Sequence, residues 1–170
     1  MKKLMLVAAM VLGFAGMSFG QGQTANTGAL VKGNVVMAVG ILESGTLDFG
    51  NIAVNSTPTP INPNSAAGIP LFTVTGAPSA QVYFTFGNTL SLTGPGSPLT
   101  FTPNLVGSNV AGNQSGAGTV NSGNTNLVPL DAVNGNYFVW LGGSVANIPV
   151  GQTVGAYSGT FTLTVTYAGY

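Results

Sequence analysis

From Gly159 to Tyr167 the chain reads Gly-Thr-Phe-Thr-Leu-Thr-Val-Thr-Tyr, and this run constrains the fold more than any other. Phe161, Leu163, Val165 and Tyr167 fall on one side of an extended chain and Thr160, Thr162, Thr164 and Thr166 on the other, the period of a strand with one buried face. Every residue from 160 to 167 is β-branched or aromatic except Leu163, so local propensity agrees with the pattern. The run carries no charge. Left as an open sheet edge, its N–H and C=O groups would recruit another chain. It is therefore paired within its own domain or with a neighbour.

A second alternating segment spans residues 29–41, with Ala29, Val31, Val35, Met37, Val39 and Ile41 on one side and Gly33 as the gap in that row. It is about twice the length of a typical strand. Two readings stay open. The segment is a first strand that bends at Gly33 and passes from one sheet to another, or residues 21–32 are an extension that inserts as a strand into another subunit while residues 34–42 stay at home. Further short strands are expected at Thr46–Ile52, at Pro70–Gly76 and Ala80–Gly87 as a hairpin around Ala77-Pro78-Ser79, and at Leu90–Thr93 and Leu99–Thr102. Tyr137–Leu141, apolar on both faces, reads as a central strand ended by Gly142-Gly143, and Ser144–Ile148 as another short one. Asn55–Ala67, with Pro58, Pro60 and Pro63, reads as a surface loop. Residues 104–126, rich in Gly, Asn, Ser and Thr, read as a long mobile loop. No helical period appears after residue 20, and seven to eight strands with Gly- and Pro-rich turns predict an all-β antiparallel sandwich.

The start of the chain has a different character. Met1-Lys2-Lys3 precedes an apolar run from Leu4 to Phe19, with small residues at Ser18 and Gly20, the order of a secretory signal peptide cut after Gly20. The run is shorter than the ~20 residues a spanning helix needs, so no membrane insertion is expected after cleavage. The expected organisation is a signal peptide at 1–20, an extension or donor strand at 21–32 and a β-sandwich at 33–170. There is no cysteine, which excludes disulfides and a lipid anchor on sulfur. Past Lys3 one base, Lys32, faces three acids, Glu43, Asp48 and Asp131, for a net charge of −2 before the termini. No basic patch exists for nucleic acid.

The same scarcity bears on chemistry. With no histidine, cysteine or arginine, and three scattered carboxylates, no nucleophile has a base and no acid–base pair is spaced for hydrolysis, so neither an enzyme nor a cofactor is expected. Nothing resembles a calcium loop, so no metal is expected either. Tyr83, Phe84, Phe86, Tyr137, Phe138 and Trp140 lie inside strand patterns and read as core in preference to a sugar-stacking platform.

Three segments together carry a family resemblance: Thr46-Leu47-Asp48-Phe49-Gly50-Asn51-Ile52, Phe72-Thr73-Val74-Thr75-Gly76-Ala77-Pro78, and Trp140-Leu141-Gly142-Gly143-Ser144-Val145 leading to Gly155–Tyr167. In this order the chain resembles a family of small secreted bacterial β-sandwich proteins of unknown function, similar to the spore-coat-U type and archaic chaperone–usher pilins. The resemblance implies an immunoglobulin-like sandwich at the cell surface or in the periplasm of a bacterium with an outer membrane. It implies partners that are copies of the chain or related subunits, with a periplasmic chaperone and an usher. In those pilins the fold lacks a strand, which the chaperone and then the N-terminal segment of the next subunit supply. Carried over, the donor includes Ala29 and Val31 with Val35 beyond, and the groove lies beside Phe161, Leu163, Val165 and Tyr167. The expected function is thus a structural subunit of a surface fibre built by strand addition. The alternative is a self-contained domain that binds a polysaccharide or a protein.

Overall fold

The structure, a computed structural model, describes residues 37–169, and every regular element among them is a strand. There are nine: β1 (Gly40–Ser44), β2 (Leu71–Thr75), β3 (Gln81–Thr85), β4 (Leu90–Leu92), β5 (Leu99–Ser108), β6 (Gly118–Thr119), β7 (Val128–Pro129), β8 (Asn136–Val145) and β9 (Thr164–Tyr167). They form two sheets with antiparallel ladders throughout. The larger has the order β1-β2-β8-β5-β4, with β6 also on β5, and the smaller has the order β7-β3-β9. The expected signal peptide at 1–20, the extension at 21–32, and Ala29, Val31 and Val35 lie outside the described residues.

Alternation sets the two inner faces. Phe72 and Val74 of β2, Tyr137 and Val139 of β8 and Phe101 and Leu105 of β5 point inward and are buried, as are Val82 and Phe84 of β3 from the other sheet. Phe84 and Tyr137 meet across the gap with ring centroids 5.9 Å apart. One core between two sheets is a sandwich-like arrangement. β8 is central as expected, and it is buried on its outer face too, where Trp140 and Val106 lie side by side in the ladder.

Several expected boundaries are corrected. β2 and β3 are not a hairpin: Gly76–Ala80 arches from one sheet to the other, held by Gly76 N–H on Gly135 O and Ser79 N–H on Asp131 O. Both strands have one apolar face, and an arch sets those faces opposite each other, whereas a hairpin would set them side by side. Gly142-Gly143 does not end β8, which runs on through Ser144 to Val145; the rest of the strand expected at 144–148 is not built, since residues 146–148 join no strand. Bare backbone is wanted at the two glycines, because a Cβ on Gly142 would stand 2.7 Å from Pro63 Cδ, and Gly143, at φ 147°, faces the ring of Phe101.

Residues 104–126 are not one long loop. β5 continues to Ser108, burying Leu105 and Val106; β6 follows, and Val120 is buried. The remaining turn is clasped to the 62–66 loop. Asn64 Nδ2 donates to the carbonyls of Gln114 (3.1 Å) and Ala117 (3.0 Å), and Gln114 Nε2 donates to those of Pro63 (2.8 Å) and Ala66 (2.9 Å).

Two expected strands are only partly built. Thr46–Ile52 alternates in burial but joins no ladder, and the final strand is paired only from Thr164 onward. Alternation reports which side faces the core; it does not supply a hydrogen-bonding partner.

Candidate binding groove

The two sheets differ in length. β5 and β8 each run ten residues, while β3 has five, β9 four and β7 two. A groove of about 1080 Å³ opens over the part of the large sheet's inner face carried by Phe72, Leu99, Phe101, Leu141 and Val145. None of β3, β7 or β9 contributes to its lining. Its opposite wall is irregular chain, residues 45–54 on one side and 152–161 on the other. An apolar sheet face thus lies under loops where a sandwich would place a strand.

Both walls have free backbone. Apart from Gly50 N–H, which donates to Asp48 Oδ1 at 2.8 Å, residues 45–52 make no hydrogen bond to a described residue. Residues 159–163 make none. Leu47 and Phe49 turn into the groove with Thr46 and Asp48 exposed between and beside them, so this wall has the side-chain phase of a strand without its ladder. On the other wall Thr160 is exposed and Phe161 half-buried; past its end Thr162 is exposed and Leu163 is buried in the core.

The 152–158 turn is fixed against the β4–β5 connection. Thr93 and Ser158 exchange backbone hydrogen bonds of 2.8 and 2.9 Å. The Tyr157 hydroxyl donates to Thr153 O (2.8 Å) and accepts from Gln152 Nε2 (2.6 Å), which also donates to Ser97 O (2.6 Å). From Ser158 at the edge of the large sheet, the chain crosses to Thr164 at the edge of the small one. The stretch between them is the unbonded wall.

Of the residues expected to mediate subunit contact, Phe161 lines the groove, packed on Phe72 (6.2 Å) and Phe86 (5.9 Å). Leu163 belongs to the core. Val165 and Tyr167 pair with Phe84 and Val82 in the small sheet. The sequence pattern does not single out Leu90, Leu92, Leu99 or Phe101 as groove residues; their short alternations mark strands, and only the sheet order shows that they lie under loops and not under a strand of the small sheet. Glu43, one of three scattered carboxylates, is not set apart by the sequence either. It stands on the inner side of β1, opposite Phe72, and with Asp48 it lines the groove.

Among the described residues the only ionisable acids and bases of ordinary range are Glu43, Asp48 and Asp131, and there is no Lys, Arg or His. No three His, Cys, Asp or Glu side chains gather among them. Asp131 sits away from the groove and accepts N–H bonds from Val133 (3.0 Å) and Asn134 (2.7 Å); those donors, Asn134 first, hold its carboxyl below the usual range. Of the aromatic residues, Phe84, Tyr137 and Trp140 are buried and Tyr83, Phe86 and Phe138 are half-buried, which agrees with a packing role. No protein-family model matches the chain, and no curated protein is significantly similar to it.

Proposed function

We propose that the chain is an exported, non-enzymatic structural subunit, an immunoglobulin-like sandwich short of one strand, whose copies join into a surface fibre by β-strand addition. Residues 1–20 direct export, and an incoming strand fills the groove. The reading rests above all on the groove, whose floor is core side chains lying under loops and not under a strand, between two walls, 45–52 and 159–161, that have backbone groups to spare. A strand laid there gains main-chain hydrogen bonds from the walls, while alternate side chains enter the apolar floor. Among the described residues no three His, Cys, Asp or Glu side chains gather to hold a metal-bound ligand there. At the mouth Val54 is 43% and Val154 86% exposed, apolar surface that an inserted strand would cover. By its resemblance to chaperone–usher pilins, the subunit would need a periplasmic chaperone to hold the groove until assembly.

The experiment is size-exclusion chromatography with light scattering on the chain from Gln21 to Tyr170, alongside Val31→Asp. Strand addition expects polymers that persist in mild denaturant, and a Val31→Asp chain that no longer polymerises by itself but still accepts a peptide of residues 21–36. A stable monomer, indifferent to the peptide, would reject the reading and leave a self-contained domain that binds a polysaccharide or protein.

A further inference from the structure

The turn between β7 and β8 holds chemistry that the groove does not use. Asn134-Gly135 is the one Asn-Gly pair in the chain. Asparagine is among the chemically labile residues, and a following glycine has no side chain to hinder attack of its own nitrogen on the asparagine amide. Asn134 is exposed, and its side chain makes no hydrogen bond to a described residue. The backbone around it is tied. Asp131 Oδ1 accepts from the N–H groups of Val133 (3.0 Å) and Asn134 (2.7 Å), and Gly135 N–H donates to Asp131 O (3.0 Å), closing a single i to i+4 turn. Gly135 is buried at φ 66°, and a Cβ there would run into the Gly76 carbonyl, so the position demands glycine. The exposed Asn134 side chain answers no such demand.

We infer that Asn134-Gly135 is a deamidation site held shut by the Asp131 turn, and that its conversion unlatches the arch between the two sheets. In the reaction Gly135 N forms a bond to Asn134 Cγ, the Cγ–Nδ2 bond breaks, and ammonia leaves with the proton from Gly135 N–H. Water then opens the succinimide ring, at Cγ to give aspartate or at the backbone carbonyl to give isoaspartate, whose main chain is one atom longer. The attacking nitrogen is the one whose N–H Asp131 O holds, so the turn must open first. Once isoaspartate has formed, the turn cannot close as before. Gly135 O accepts from Gly76 N–H (2.9 Å) and Asp131 O from Ser79 N–H (3.2 Å), two of the bonds that fix Gly76–Ala80. The close approach of Gly135 to Gly76 leaves no slack for an added atom. A passing local opening is thereby recorded as a permanent change in the crossover.

The test incubates the full chain at mildly alkaline pH, folded and in guanidinium chloride, and follows residue 134 by peptide mass spectrometry with fragmentation that separates isoaspartate from aspartate. Conversion should be slower in the folded chain by about tenfold or more, as for a reaction that waits on local opening. Asp131→Ala, which removes the side-chain acceptor, should speed it several-fold in the folded chain, while Asp131→Asn, which keeps an acceptor oxygen, should stay near the parent. Residue 134 intact even in guanidinium would overturn the site. Equal rates folded and unfolded, or a folded Asp131→Ala chain as slow as the parent, would overturn the latch; if that variant does not fold, the parent comparison decides. Chains converted in denaturant and returned to buffer should exchange the amide hydrogens of residues 76–80 faster than Asn134→Asp, which has the charge without the longer backbone. Exchange in the isoaspartate chains as slow as in Asn134→Asp would overturn the unlatching.

Discussion

The phenol oxygen of Tyr167, at the end of β9, accepts a 2.7 Å hydrogen bond from the backbone N–H of Ala77 in the arch that leaves β2. One side chain thus ties the last strand of the small sheet to the crossover out of the large one. Tyr167→Phe keeps the ring and removes the acceptor, leaving a partly buried N–H without that partner. The expected loss is about 1–3 kcal/mol of unfolding free energy, read as a lower urea midpoint at unchanged slope.

The paired amides of Asn64 and Gln114 give a second expectation. Each makes two hydrogen bonds to backbone carbonyls of the other's loop. Gln114→Ala removes two of the four, at about 0.5–1.5 kcal/mol for each bond. The turn at 109–117 should resist limited proteolysis in the parent chain and be cut first in the variant; equal cleavage in both would show that the clasp does not order it.

That turn also shows where the sequence stops being legible. Strand patterns at 71–75, 81–85, 90–92 and 136–141 were visible because each has several apolar residues in phase. Leu105, Val106 and Val120 are too few among Gly, Asn and Ser to raise a periodic signal, yet each falls where β5, β8 and the core can bury it. Gly142-Gly143 looked like a stop because glycine usually breaks a pattern, and here the close approach of Pro63 and Phe101 was the reason for it. Of the stretch Gly159–Tyr167 only Gly159, Thr160 and Phe161 line the groove. Its floor depends on two sheets being unequal in length, a property of pairing partners that no single segment encodes.

Gly142 provides a sharper check on that point. Its Cβ position is already occupied by the Ile61 carbonyl and Pro63. Gly142→Val would force the 61–63 chain off the outer face of β8, breaking the paired bonds between Ile61 and Gly143. A loss of about 1–3 kcal/mol or more is expected from overpacking. A Gly151→Val control, at an exposed position where a Cβ meets nothing, should stay within about 0.5 kcal/mol.

Stability should also fall at the alkaline end. Burial raises the Tyr137 phenol above its ordinary value near 10. Its neutral form is favoured in the folded chain, so this contribution is complete below about pH 10 and is lost as pH rises through the raised folded value. At the acid end Asp131 acts in the opposite sense: its lowered carboxyl contributes above the ordinary value and is lost as pH falls through the folded one. Unfolding midpoints against pH should therefore drop above pH 10 in the parent and less in Tyr137→Phe. The same alkaline slope in both chains would assign it to other groups.

Phe161 separates the fold from the groove. It stands where β9 loses its partner, packed on Phe72 and Phe86 but still half-exposed to the groove. Leu163, two residues on, is 8% exposed and part of the core. Leu163→Ala should cost about 2–5 kcal/mol, as a buried truncation does, and impair folding and association together. Phe161→Ala should cost less in folding, because part of its ring is already in water, yet remove part of the groove's wall. The two variants are compared by urea unfolding and by sedimentation. If strand addition is the function, Phe161→Ala lowers association by more than its loss of stability explains, whereas Leu163→Ala does not.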